Sequence, residues 1–153
     1  MKALSNKKEK MNSIQKTPRI AGNTATVLYA ITIILQLLLA SAILPITMAW
    51  GGREPVLTTN LRIASLASAA LLLFFIYVIR RRAGLVSDAP ITLIIKVLSW
   101  LITAFSALNF LAILASRSSG EKILFGPISF FLLVACILVS LSKSEPQSTA
   151  PRI

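Results

Sequence analysis

Long apolar runs alternate with short polar segments along this chain, and the pattern predicts four transmembrane helices. The runs contain almost no formal charge and cover residues 24–44, 61–79, 91–115 and 123–141. Each meets the requirement of about 20 residues for crossing a hydrocarbon core about 30 Å thick. The connections are short, so consecutive helices should be antiparallel neighbours. The predicted fold is an all-α four-helix transmembrane bundle.

The polar segments at the two ends lack a helical apolar period. Residues 1–23 are rich in lysine and residues 143–153 contain serine, proline and threonine, so both are predicted to be disordered tails. Residues 24–142 then form the transmembrane domain. An alternative for the first run is a cleaved signal peptide, since Ala40-Ser41-Ala42 has the form of a cleavage site. The long basic segment and the continuation of the run to Leu44 favour a span.

The basic residues are unevenly distributed around the runs. Both tails and the second connection together hold eleven lysines and arginines, whereas the first and third connections with their flanks hold four. Because short segments rich in these residues stay in the cytoplasm, both termini are predicted to be cytoplasmic. The net charge of +11 therefore indicates a lipid bilayer with an anionic inner leaflet as partner of the N-terminal tail, and not nucleic acid. The same residues would also serve topology alone.

Interfacial and packing residues refine this topology. Trp50 is predicted at the outer interface and Tyr29 and Tyr77 at the inner one. Small residues repeat four positions apart at the start of the second run, as at Ala64 and Ser68, which predicts tight packing in the outer half of the bundle. Pro127 should lie in the first turn of the fourth helix, with a kink as the alternative.

The third run carries most of the polar groups within the spans. Lys96 is near its inner end, where the side chain can snorkel to the headgroups, pack inside the bundle or form a ligand site. Positions 96, 99, 103 and 106 share one helix face, which should point into the bundle. Trp100 is four positions from Lys96, so a cation–π contact is expected, and Gln36 could accept from its indole. Such groups, Asn109 included, more often join helices than bind solutes.

Catalytic and metal chemistry find little support in the sequence. All five acidic residues lie outside the predicted spans, and the chain has no histidine. Cys136 is its only cysteine and should be a buried small apolar residue. Since acid–base catalysis and metal binding need such groups in clusters, we expect no enzyme activity and no cofactor.

Several motifs resemble those of a bacterial family. They are "WGG" at 50–52, "VLTTNLRIAS" at 56–65, Trp100 and Asn109, and "SSGEKILFGP" at 118–127. These segments are similar to uncharacterised four-pass integral membrane proteins of bacteria, over about residues 24–142. The resemblance implies a bacterial plasma membrane location and this topology, without an established activity.

The first connection, "GGREPVLTTN", reads mostly as a turn. Gly51 frees the backbone, Pro55 stops a helix, and Thr59 or Asn60 can cap the second helix. Arg62 is different, because a cation in a first helical turn opposes the macrodipole. We therefore expect Arg62 to pair with Glu121 or Glu54 and to tie the outer ends together.

The expected function follows from this architecture. The sequence favours a non-enzymatic small integral membrane protein with a structural or accessory role, through a membrane protein partner or a homo-oligomer. The alternative is a small transporter or channel subunit that uses the polar face of the third run.

The orientation is testable with reporter fusions. A green fluorescent protein fused to the C-terminus should fluoresce, whereas alkaline phosphatase inserted after Ser118 should be active, because that enzyme needs the outer compartment. A mature chain that begins near Ile43 would instead support cleavage of the first run.

Overall fold

Four long helices make up the described part of the chain. The computed structural model describes residues 2–52, 56–87 and 89–142, with side chains from residue 16 onward. The helices are α1 (Lys2–Ala40), α2 (Thr59–Arg82), α3 (Leu93–Ala115) and α4 (Ser119–Leu141), and two 3₁₀ turns, Ile46–Met48 and Trp50–Gly52, follow α1. No strand occurs within these ranges, so the predicted all-α fold is confirmed.

The outer surface of the bundle is apolar. All four helices are long and apolar enough to cross a membrane, with Lys16–Ala40 as the spanning part of α1. Large apolar side chains point outward on every helix, among them Leu108, which is 67% exposed, and Ile123, which is 77% exposed. Such a surface is unfavourable in water and favourable in hydrocarbon. The chain is therefore a multi-pass membrane protein.

A hydroxyl side chain begins each of the last three helices. Thr58 accepts the Leu61 N–H at 3.3 Å and Ser118 accepts the Glu121 N–H at 3.2 Å, while Thr92 caps α3 in the same way. Each cap satisfies one of the N–H groups that a helix start leaves free. The cap of α2 is thus Thr58, one residue before the predicted Thr59 or Asn60.

The helix α1 begins well before the predicted first span. It starts at Lys2, whereas the sequence predicts a disordered tail over residues 1–23. Ala21 and Gly22 are buried against the end of α2, and the Arg19 guanidinium donates to the Gly84 carbonyl at 3.4 Å. This packing orders the helix, so the prediction is wrong for residues 16–23. The other predicted tail, 143–153, lies outside the described residues.

A compact apolar core fills the inner half of the bundle, meaning the half that carries the α2–α3 connection. Its most buried members come from α1, α2 and α4: Tyr29, Val78, Ile79, Cys136 and Val139. Tyr29 is therefore a core residue and not the predicted interfacial one, because α1 extends a further two turns below it. Tyr77 is exposed near the inner end, and the predicted burial of Cys136 is confirmed.

The outer half is more open than the sequence predicts. Ser68 lines a cavity there and does not form a close helix contact. The closest approach lies at the inner end, where a Cβ on Gly22 would be 2.6 Å from the Ala83 Cβ. Small side chains on α2 leave space in the outer half because α2 and α3 pack less against each other than the other chain neighbours do. The predicted tight outer half is wrong.

Pro127 lies inside α4 and not in its first turn. The helix begins at Ser119, eight residues earlier, so the predicted first-turn position is wrong. The Ser118 cap and Glu121 start the helix earlier than hydropathy alone suggests, because a capping hydroxyl and an acidic first turn both stabilise a helix N-terminus.

The close approach at Gly22 is testable with one substitution made at two glycines. Gly22→Ala should lower the thermal unfolding temperature in detergent, by an amount matching about 1–3 kcal/mol, because the new methyl group collides with Ala83. Gly126→Ala is the matched control, since no heavy atom lies within 4 Å of the place that its new methyl group would take. It should leave stability unchanged or raise it slightly. Equal loss at both sites would contradict the close contact.

Candidate functional site

Glu121 joins three segments at the outer end of the bundle. Its Oε2 atom accepts the Gly51 N–H at 3.0 Å and the hydroxyl of Ser116. Gly51 belongs to the turn after α1 and has a φ of 79°, which glycine adopts without strain. Ser116 caps the C-terminus of α3, and Glu121 lies in the first turn of α4. One carboxylate therefore fixes the first outer turn to the hairpin between α3 and α4.

Arg62 does not take part in this tie. Its side chain is exposed on the first turn of α2, and no ion pair joins it to Glu121 or to any other described residue. The predicted Arg62–Glu121 pair is therefore wrong. The positive-φ turn at Gly51 presents a backbone donor to the carboxylate, and neither glycine conformation nor loop direction is visible in a charge pattern. Glu54 lies outside the described residues, so its pairing with Arg62 stays a prediction.

A polar cavity of about 550 Å³ lies beneath the tie. Trp50, Gly51, Arg117 and Glu121 line its mouth. Its walls carry polar side chains from three helices: Thr32 and Gln36 of α1, Ser68 of α2, and Asn109 of α3. The predicted Gln36 and Asn109 are thus brought together in one space, although neither was expected to contact the other.

A narrower part of about 100 Å³ continues toward the middle of the bundle. It reaches Tyr29, Ser106 and Ser129. The Tyr29 hydroxyl lies 3.3 Å from Ser106 Oγ and 3.4 Å from Cys136 Sγ, and its ring meets Phe75 edge-on at 5.9 Å. This cluster forms the floor, below which the apolar core closes the inner half.

The oxygen atoms of the lining are left mainly as hydrogen-bond acceptors. Thr32 donates its hydroxyl proton to the Leu28 carbonyl at 2.9 Å, and Ser106 donates to Ile102 at 2.8 Å. A hydroxyl has a single proton, so its lone pairs are what it offers a further partner. Gln36 Oε1 is buried and accepts no hydrogen bond from the described residues. Buried polar atoms of this kind are uncommon, and each one left unpaired costs about 1–3 kcal/mol.

The polar face of α3 is confirmed for three of its four positions. Ser99, Thr103 and Ser106 are buried, whereas Lys96 is exposed. Thr103 Oγ1 and Ser140 Oγ lie 2.9 Å apart, and Ser140 donates to the Ser99 carbonyl at 3.1 Å. These bonds join α3 to α4, as the joining interpretation of such groups expects.

Lys96 and Trp100 do not form the expected pair. Both side chains are exposed, and no cation–π contact joins them within α3. Trp100 is 50% exposed on the outside of the bundle, and Gln36 Oε1 accepts nothing from it. Lys96 lies in the first turn of α3, in the position that snorkelling requires.

Arg82 was missed as an individual site because the run of three arginines indicated only topology. Its Nη2 atom donates to the Ser140 carbonyl at 3.1 Å and to the Ser142 carbonyl at 2.6 Å. These carbonyls belong to the end of α4, where helix geometry leaves acceptors unsatisfied and a positive charge is favourable. Arg81 in turn donates to Ser87 and Ala89 in the following connection. A basic run at a helix end is a usable signal for such capping, but it does not say which arginine caps which helix.

Comparison with protein-family models, with curated proteins and with solved structures finds no match to this chain. The resemblance to four-pass bacterial proteins therefore stays a prediction. The candidate site is defined by its geometry alone.

The partner of Glu121 can be identified by two double-mutant cycles. Glu121→Gln combined with Ser116→Ala should show a coupling energy of about 1–3 kcal/mol, because the two side chains share a hydrogen bond to a charged acceptor. Glu121→Gln combined with Arg62→Ala should be additive within about 0.5 kcal/mol. Unfolding in detergent measures both cycles, and strong coupling to Arg62 would contradict the observed tie.

Proposed function

We propose that this protein is a non-enzymatic accessory protein of the bacterial plasma membrane, with both termini in the cytoplasm. The observation that supports it is the use of the polar groups inside the spans. Glu121 ties the outer turns, Arg82 caps α4, and Thr103 joins α3 to α4 through Ser140. Polar groups engaged in this way hold a scaffold together and are not free for proton transfer.

The partners of such a scaffold are lipid and other transmembrane helices. The exposed apolar faces of α1 to α4 suit both, and small four-helix proteins commonly act through helix contacts in the membrane. The basic N-terminal segment favours an anionic inner leaflet. A membrane protein partner and a second copy of this chain are the two candidates for the helix contact.

Photo-crosslinking in native membranes tests the accessory role. A photoreactive residue placed singly at Leu108 on α3, Leu73 on α2 and Phe131 on α4 samples three exposed faces of the bundle. A partner should give one discrete adduct from one face, because specific helix contacts use one side of a bundle. Placement at the buried Val139 is the control and should give none with another chain. Absence of a discrete adduct from every exposed face would contradict the proposal.

A small transporter or channel subunit is the second candidate, and the outer cavity favours it. The cavity carries Asn109 on the polar face of α3 and reaches almost to the middle of the bundle. Passage of a solute would require the floor at Tyr29 to open. If reconstituted protein moves a solute and Asn109→Ala abolishes that movement while expression persists, transport replaces the accessory role. Lys96→Ala is a useful comparison, because Lys96 does not line the cavity.

A further inference from the structure

The outer cavity has an unbalanced hydrogen-bonding capacity. Thr32, Ser106 and Ser129 all donate their protons to carbonyls of their own helices, at 2.9, 2.8 and 2.9 Å respectively. Gln36 adds a buried oxygen without a donor among the described residues. A molecule that fills this space gains most if it carries donors or a positive charge, since it would supply what the lining lacks.

Aromatic rings surround these oxygen atoms. Phe105 and Phe125 line both parts of the cavity, Trp50 stands at the mouth and Tyr29 at the floor. The faces of aromatic rings attract cations, most strongly where water is excluded. Oxygen acceptors among aromatic rings are therefore suited to an ammonium group that carries apolar substituents.

The charges at the mouth favour the same sign of ligand. Glu121 is half-buried and held by Gly51 and Ser116, so its negative charge has a fixed position at the cavity. Arg117 also lines the mouth, but its side chain is exposed and can extend into water. The volume of about 550 Å³ lies within the range of about 300–1,000 Å³ that is usual for small-molecule sites.

We propose that the outer cavity binds an organic ammonium group, with the cation near Gln36 and its apolar substituents against Phe105 and Phe125. This binding goes beyond the accessory role and requires no transport. The group can belong to a free amine that enters from the outer aqueous side. It can also belong to the headgroup of an amphiphile in the outer leaflet, which would reach Ser68 and Asn109 through the loosely packed side between α2 and α3.

Trp50 provides a built-in reporter for this binding. The chain has two tryptophans, and Trp100 is on the outer surface away from the cavity, so Trp100→Phe leaves Trp50 as the only indole. The full chain is placed in phosphatidylglycerol nanodiscs, which contain no ammonium headgroups, and titrated with tetraethylammonium chloride. A saturable change in Trp50 fluorescence is expected, with none from sodium chloride or tert-butanol. Isothermal titration calorimetry measures the same binding without a reporter.

Two threonines of α1 give a matched pair of variants. Thr32→Val removes a hydroxyl that lines the cavity and should weaken binding about three-fold to ten-fold. Thr26→Val removes a hydroxyl that donates to its own helix in the same way, at 2.7 Å to Gly22, but lies outside the cavity lining, and should leave binding unchanged. Equal effects of the two variants would overturn the proposed site.

Gln36 supplies the decisive substitutions. Gln36→Leu should weaken binding at least ten-fold, and Gln36→Glu should strengthen it, because a carboxylate attracts an ammonium ion more than an amide does. A misfolded variant cannot produce the gain, so the second variant separates binding from folding. Absence of saturable binding by both methods, or equal binding of tert-butanol, would overturn the proposal, while leaving the crosslinking result for the accessory role unaffected.

Lipid composition separates the two sources of the ammonium group. If phosphatidylethanolamine in the nanodiscs weakens tetraethylammonium binding in the unaltered cavity, the headgroup competes for the site and the amphiphile is the natural ligand. If binding is the same with and without phosphatidylethanolamine, the free amine is the natural ligand. Either result supports an ammonium site.

Discussion

Polar groups inside the membrane must find their partners within the protein, because hydrocarbon offers none. Three polar joins in this bundle follow from that constraint. The Arg82 guanidinium satisfies carbonyls at the end of α4, the hydroxyls of Thr103 and Ser140 meet between α3 and α4, and the Glu121 carboxylate collects two donors at the outer end. Apolar packing alone holds helices weakly in lipid, where the surroundings are as apolar as the core. The joins therefore fix which helices are neighbours and how their ends are connected.

The outer cavity is the part of the bundle where this constraint is least satisfied. Its threonine and serine protons are used within their own helices, and the buried Gln36 oxygen has no described donor. The inner half, by contrast, is filled by apolar side chains around Val78 and Cys136. The bundle is thus asymmetric, with a closed inner half and an outer half whose lining lacks donors. This asymmetry makes the outer side the place where a ligand would add stability.

The individual contacts were predicted less well than the helices. Hydropathy located all four helices, and the three-four spacing placed Ser99, Thr103 and Ser106 on the inner face of α3. Charge complementarity suggested Arg62 as the partner of Glu121, but a backbone N–H and a serine hydroxyl take that role. Neutral partners leave no charge pattern in a sequence. Position within an apolar run likewise failed for Tyr29, because it measured depth from the wrong helix start.

The sequence by itself determined that the chain forms four apolar helices with short connections, since the length and polarity of each run follow from the thickness of a bilayer. It also determined that Cys136 is buried and that α3 has a polar inner face. Only the tertiary structure decided that Gln36 and Asn109 share a cavity, that Glu121 binds the Gly51 turn, and that α1 packs against Ala83 through Gly22. The physical reason is that hydropathy depends on the average environment of a helix. Cavities and ties depend on the rotation and separation of helices that are distant in the chain.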